Sequence, residues 1–209
     1  MDTAQALAAK IKKGIERTHV SETVGTWAKK GIKSVKTAAS QARTGARRLT
    51  YEDNSGRRFR VKRLLSDAGR FGEIFEAEEV GVQPTKTVAV KIMPFTGDTR
   101  RAIQREAKIH KILSGHPHIV KLESAFNLEH PKDHTKQAIF VLEFCNGGSL
   151  LDQINKRIRL PPGEAEVLPI FLQVCEAIGH ILACDPPIDH RDIKLENVLL
   201  QQNLDGSSS

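Results

Sequence analysis

The segment His190-Arg191-Asp192-Ile193-Lys194-Leu195-Glu196-Asn197 holds, close together, the groups that phosphoryl transfer requires. That reaction needs a carboxylate to accept the proton of an attacking hydroxyl, a cation beside the moving phosphate and an oxygen ligand for magnesium. Asp192, Lys194 and Asn197 supply these in turn. Because the chemistry is electrostatic, the three must sit on a short, rigid loop that aims each at its target. A charged turn with a chance His-Arg-Asp is the bland alternative, and the flanking sequence argues against it. Upstream, Val167, Leu168, Phe171, Val174, Cys175, Ile178, Ile181 and Leu182 recur at helical spacing and predict a buried helix. Downstream, Val198 to Leu200 predict a short strand.

A nucleotide would have to be held by elements earlier in the chain. Phe59 to Leu65 alternates as a strand does, and Ser66 to Phe75 turns through Gly69 and Gly72 into a second strand. These glycines would let backbone N–H groups approach phosphates, with Phe71 at the loop tip and Ile74 covering one side of a base. On its own the hairpin would pass for an ordinary turn. Next comes Val88-Ala89-Val90-Lys91-Ile92, a strand in which Lys91 interrupts an apolar run and so requires an anionic partner. The helical pattern of Arg101 to Leu113, with Ile103, Ile109, Ile112 and Leu113 apolar, lets Glu106 face inward and pair with it.

Ile119 to Leu122 and Ala138 to Phe144 read as further strands. Cys145-Asn146-Gly147-Gly148-Ser149 ends the second of them as a hinge, where backbone groups of Glu143 and Cys145 would be free to bond an adenine edge; a helix starts at Leu150. His110, His116, His118, His130 and His134 lack metal-ligand spacing and read as turn and surface residues.

Composition bounds the function. Among 209 residues the formal net charge is +7, yet residues 1–50 hold 11 Lys/Arg against 3 Asp/Glu, leaving 21 and 22 for the rest. The basicity belongs to an N-terminal extension, so nucleic-acid binding is not expected. Within it, Ala4, Leu7, Ala8, Ile11 and Ile15, then Val24, Trp27, Ile32 and Val35, lie at helical spacing beside lysines. They suggest an amphipathic segment for an anionic membrane surface or an adaptor partner, against a plain solvated leader. No apolar run reaches the roughly 20 residues of a membrane span, and no signal core is present, which points to the cytoplasm with a peripheral membrane association. Cys145, Cys175 and Cys184 form neither a disulfide framework nor a metal site.

Taken in order, the glycine hairpin, Val-Ala-Val-Lys, the helix Glu, the Gly-Gly hinge and His-Arg-Asp-x-Lys-x-x-Asn resemble a eukaryotic protein kinase over residues 57–200, with Lys194 the serine/threonine-type marker. Leu113-Ser114-Gly115-His116, Glu143-Phe144-Cys145-Asn146-Gly147-Gly148, and Cys175-Glu176-Ala177 through Pro187 to Asp192 with Lys194-Leu195-Glu196-Asn197 look like the Numb-associated group, which includes adaptor-associated and cyclin-G-associated kinases. The resemblance implies an α+β, two-lobed fold using ATP and Mg2+ to phosphorylate a protein substrate. It further implies a Lys91–Glu106 ion pair, adenine held between Ala89 and Leu199, Leu142 at the gatekeeper position and Asn197 on the metal. The domains would be a basic extension at 1–50, a linker at 51–58, an N-lobe at 59–144, and a hinge with the first part of a C-lobe at 145–209.

Three departures bear on activity: Asp67 stands at the first loop-glycine position, His110 stands where an apolar residue is usual, and Pro169 interrupts a helical run. The sequence also reaches Ser209 without the magnesium-binding Asp-Phe-Gly, so an incomplete chain, inactive alone, is expected. The alternative is a nucleotide-binding pseudokinase or scaffold carrying a membrane- or partner-binding helix.

Overall fold

A computed structural model describes residues 49–67, 72–130, 134–157 and 162–202. The readings of residues 1–48, Gly69, Phe71 and the tail from Asn203 lie outside them.

The architecture is α+β. Six antiparallel strands, β1 (Thr50–Glu52), β2 (Arg58–Asp67), β3 (Glu73–Val80), β4 (Thr87–Pro94), β5 (Leu122–Glu129) and β6 (Lys136–Glu143), form one sheet in the order β1-β2-β3-β4-β6-β5. Strand β1 arises within a stretch rich in turn residues; Tyr51 pairs with Phe59 and is buried beside it. Two register shifts in β2, between Val61 and Arg63 and between Leu64 and Ser66, bend that strand as bulges do. The sheet curls until its ends meet. Arg57 reaches Glu123 of β5 at 3.7 Å, and Tyr51, Phe59, Phe75, Val90, Phe126 and Val141 share one buried cluster inside the curl. Arg57 also donates to both carboxylate oxygens of Glu79, which keeps that half-enclosed charge paired.

The outer face of β4 and β6 packs on helix α1 (Gly97–Leu113), where Met93, Ile103, Ala138 and Phe140 form a second cluster. The helix begins four residues before the position its apolar pattern indicates. Thr96 caps it, its hydroxyl accepting from the Thr99 N–H while the Thr99 hydroxyl accepts from the Thr96 N–H. Ile112, expected on the inner face, is 67% exposed. The strand expected at Ile119–Leu122 starts only at Leu122, because the Val120 carbonyl bonds the His110 ring at 2.6 Å instead of a neighbouring strand.

Beyond the sheet come α2 (Leu150–Lys156), α3 (Glu164–Leu182) and a 3-10 turn (Leu195–Asn197). Pro169 lies within α3 without ending it; the cost is one intrahelical hydrogen bond, since proline has no N–H. The expectation of a buried helix is corrected: among its residues only Ile181 is buried, and Phe171 is 59% exposed. Contrary also to the reading that no run is long enough, α3 has the length and hydropathy of a membrane-crossing helix. Polar contacts nevertheless tie it to the loop before β5, with His118 Nε2 lying 3.1 Å from Glu176 Oε2.

Candidate active site

Strand register puts the predicted nucleotide residues on one face. Ile74 pairs with Lys91, Ala89 with Leu142 and Lys91 with Phe140, and paired residues point the same way. Alternation along β4 therefore sends Val88, Val90 and Ile92 into the curl and Ala89, Lys91 and Met93 to the α1 side. There Lys91 Nζ meets Glu106 Oε1 at 2.6 Å. The Lys91 side chain is 17% exposed and that of Glu106 44%, so the cation is the more enclosed partner and the carboxylate holds it in place.

Gly72 closes the hairpin with φ +97°, and a Cβ there would lie 2.3 Å from the Ile92 carbonyl oxygen. Glycine is thus demanded by the packing of the hairpin on β4, besides any role toward phosphate. Asp67, at the end of β2 opposite Glu73, is exposed.

The hinge is laced to the segment that follows the catalytic loop. Gly147 N–H donates to Leu200 O at 2.8 Å, Leu200 N–H to Gly148 O at 2.9 Å and Leu150 N–H to Val198 O at 2.8 Å. Asn146 and Gln202 exchange two further bonds, side chain to backbone in both directions. This brings Leu199 opposite Ser149 in a single bridge, where a short strand was expected. A Cβ at Gly147 would sit 2.6 Å from Leu200 O, so the close approach depends on glycine. The reading that backbone groups of Glu143 are free is corrected for its N–H, which donates to Lys121 O at 2.9 Å.

The catalytic-loop residues converge. Asn197 Nδ2 donates to the backbone carbonyl of Asp192 at 2.7 Å and to its carboxylate at 2.9 Å, while Lys194 Nζ lies 3.2 Å from the other carboxylate oxygen. Arg191, with φ 63°, makes the sharp bend, and the Asp192 N–H donates to His190 Nδ1 at 3.3 Å. The Asn197 amide first, then Lys194 with a smaller contribution from His190, holds the Asp192 carboxyl below the ordinary carboxylate range. The group is solvent-facing and ionised at neutral pH.

The lacing of residues 146–150 to 198–202 joins two segments that no local pattern pairs. Burial, with Glu143 adding to it, pushes the Cys145 thiol up to about 11.

The protein kinase domain family matches residues 62–205. Serine/threonine-protein kinase ppk30 of Schizosaccharomyces pombe is 32% identical over 140 residues, covering 67% of this chain and 14% of that protein. A probable serine/threonine-protein kinase of Dictyostelium discoideum is 34% identical over 161 residues, covering 75% of this chain and 19% of its own. Protein kinase domain-containing protein ppk38 of S. pombe is 31% identical over 142 residues, 67% of this chain and 22% of its own. The chain therefore spans less than a quarter of the length of these relatives.

Proposed function

The chain belongs to the protein kinase domain family, and on that premise we propose that it is the nucleotide-binding and catalytic-loop portion of a serine/threonine protein kinase. The single observation that carries this reading is the Asp192–Asn197–Lys194 cluster, in which one loop orients a carboxylate, an amide and an ammonium through mutual bonds. Magnesium-ATP, when bound, supplies the transferable phosphoryl group and neutralises its charge. The residues fit it: Ile74, Ala89 and Leu142 offer an apolar face beside an anchored Lys91 ammonium, and Asn197, with its Nδ2 turned to Asp192, has its amide oxygen to offer a cation. Hinge bonds to an adenine edge would fall to the Glu143 carbonyl and to Cys145. Asp192 accepts the proton of a serine or threonine hydroxyl on a protein substrate, and Lys194 steadies the negative charge beside it.

The segments at 113–116, 143–148 and 175–197 support placement near the Numb-associated group. The basic residues of 1–50 support attachment to an anionic membrane surface or an adaptor. With Asn197 the one metal-ligand candidate among the described residues, the 209-residue chain is expected to bind ATP yet transfer phosphate slowly.

Calorimetry with ATP and magnesium, run beside a radiolabelled transfer assay on a basic protein substrate, tests both expectations. Binding with little transfer agrees with them. Brisk transfer that D192N abolishes would keep the kinase reading and overturn the expected slowness, whereas absence of nucleotide binding would sink the reading itself.

A further inference from the structure

The loop joining α1 to β5 meets α3 through three imidazoles. His116 stacks on His180 of α3 with ring centroids 4.7 Å apart and planes 29° from parallel, and it meets His118 edge-on at 5.6 Å. The backbone N–H of His118 donates to His116 Nδ1 at 3.2 Å, and His118 Nε2 lies 3.1 Å from Glu176 of α3. Because Nδ1 accepts a bond, His116 is neutral with its proton on Nε2. A second proton would set two N–H groups against each other and place an imidazolium on the face of another imidazole.

We infer that this cluster is a proton-sensitive clasp: with His116 neutral it holds the loop against α3, and protonation of His116 on acidification loosens that hold. The groups facing His116 are His118 on the loop and His180 and Glu176 on α3; Glu176 favours protonation but is engaged by His118. Burial first, then His180 and His118, keeps His116 below the ordinary histidine value. The sign follows from that direction. Stability contributed by neutral His116 is complete above the unfolded-state value, about 6.5, and is lost as pH falls from there toward the lower folded-state value.

Loosening has a path to the nucleotide side. The Ser114 hydroxyl donates to His110 O at 2.6 Å and accepts from Leu122 N–H at 2.9 Å, and His110 donates its Nε2–H to Val120 O, so the loop grips the end of the helix that carries Glu106. Acid should therefore free the C-terminal turns of α1 along with the loop.

The test uses the 209-residue chain. Histidine ring signals are titrated by NMR in wild type and H180Q, and Tm is measured at about pH 7.5 and about pH 5.5 in wild type and H116Q. The expected results are a His116 midpoint below the ordinary value that rises in H180Q, and an acid-induced fall in Tm that is roughly halved in H116Q. A His116 midpoint at or above the ordinary value, or one unmoved in H180Q, would overturn the inference. So would an equal fall in Tm for H116Q. Should H116Q not fold, the two titrations decide alone.

Discussion

Asn197 bonds Asp192 twice, its side-chain amide donating at 2.7 Å to the backbone carbonyl and at 2.9 Å to the carboxylate. One residue thus ties down both the backbone and the carboxylate of Asp192. In N197A the Asp192 carboxyl should titrate closer to an ordinary carboxylate, because the largest influence holding it down is gone while Lys194 remains. The ionised form then gives way to the protonated form at a higher pH than in wild type. Carboxyl-carbon NMR of Asp192 between about pH 2 and about pH 6 checks this, and an unchanged midpoint would assign the effect to Lys194.

Lys91 is expected to hold nucleotide phosphates only while Glu106 steadies it. K91M and E106Q should each weaken ATP binding, E106Q by about 1 kcal/mol or roughly fivefold, discounted because Glu106 is 44% exposed. Calorimetry reads the difference; equal affinity for all three proteins would put the nucleotide elsewhere.

Gly147 touches Leu200 so closely that any side chain must push the two segments apart. G147A should cost about 1–3 kcal/mol, which for a domain of this size lowers Tm by several degrees. It should also weaken ATP binding, since the same bonds position Leu199. Unaltered Tm in G147A would mean that the lacing is loose in solution.

Cys145, pushed up to about 11 by burial and by Glu143, should be a poor nucleophile at neutral pH. Iodoacetamide labelling followed by mass spectrometry should show slow modification at about pH 7.5 and a steep rise toward about pH 10. Rapid labelling at neutral pH would show a more exposed thiolate than the hinge allows.

Residues 1–50, with 11 basic and 3 acidic side chains, should carry the chain to vesicles of anionic phospholipid at low salt and release it as salt is raised. Co-sedimentation of the 209-residue chain, read with Trp27 fluorescence, measures both. No pelleting at low ionic strength rules out the membrane and leaves an adaptor partner or a plain solvated leader.

The sequence by itself determined the chemistry and the order of the elements. Spacing is local information, so Asp192, Lys194 and Asn197 declared one loop, the isolated Lys91 in an apolar strand declared its need for an anion, alternation declared strands β2 and β3, and short apolar runs declared β4 and β6. What depends on approach between distant segments was decided by the tertiary structure. The start of α1 rests on Thr96 and Thr99 bonding each other, while its apolar periodicity begins later. The curl of the sheet rests on two bulges and on Arg57 crossing to Glu123. The histidines of the 116–118 turn looked like surface residues because the ring that stacks on His116, that of His180, lies far along the chain on α3. Gly147 could be read only as a hinge glycine until Leu200 was found against it, for a steric demand exists only once the two backbones are side by side.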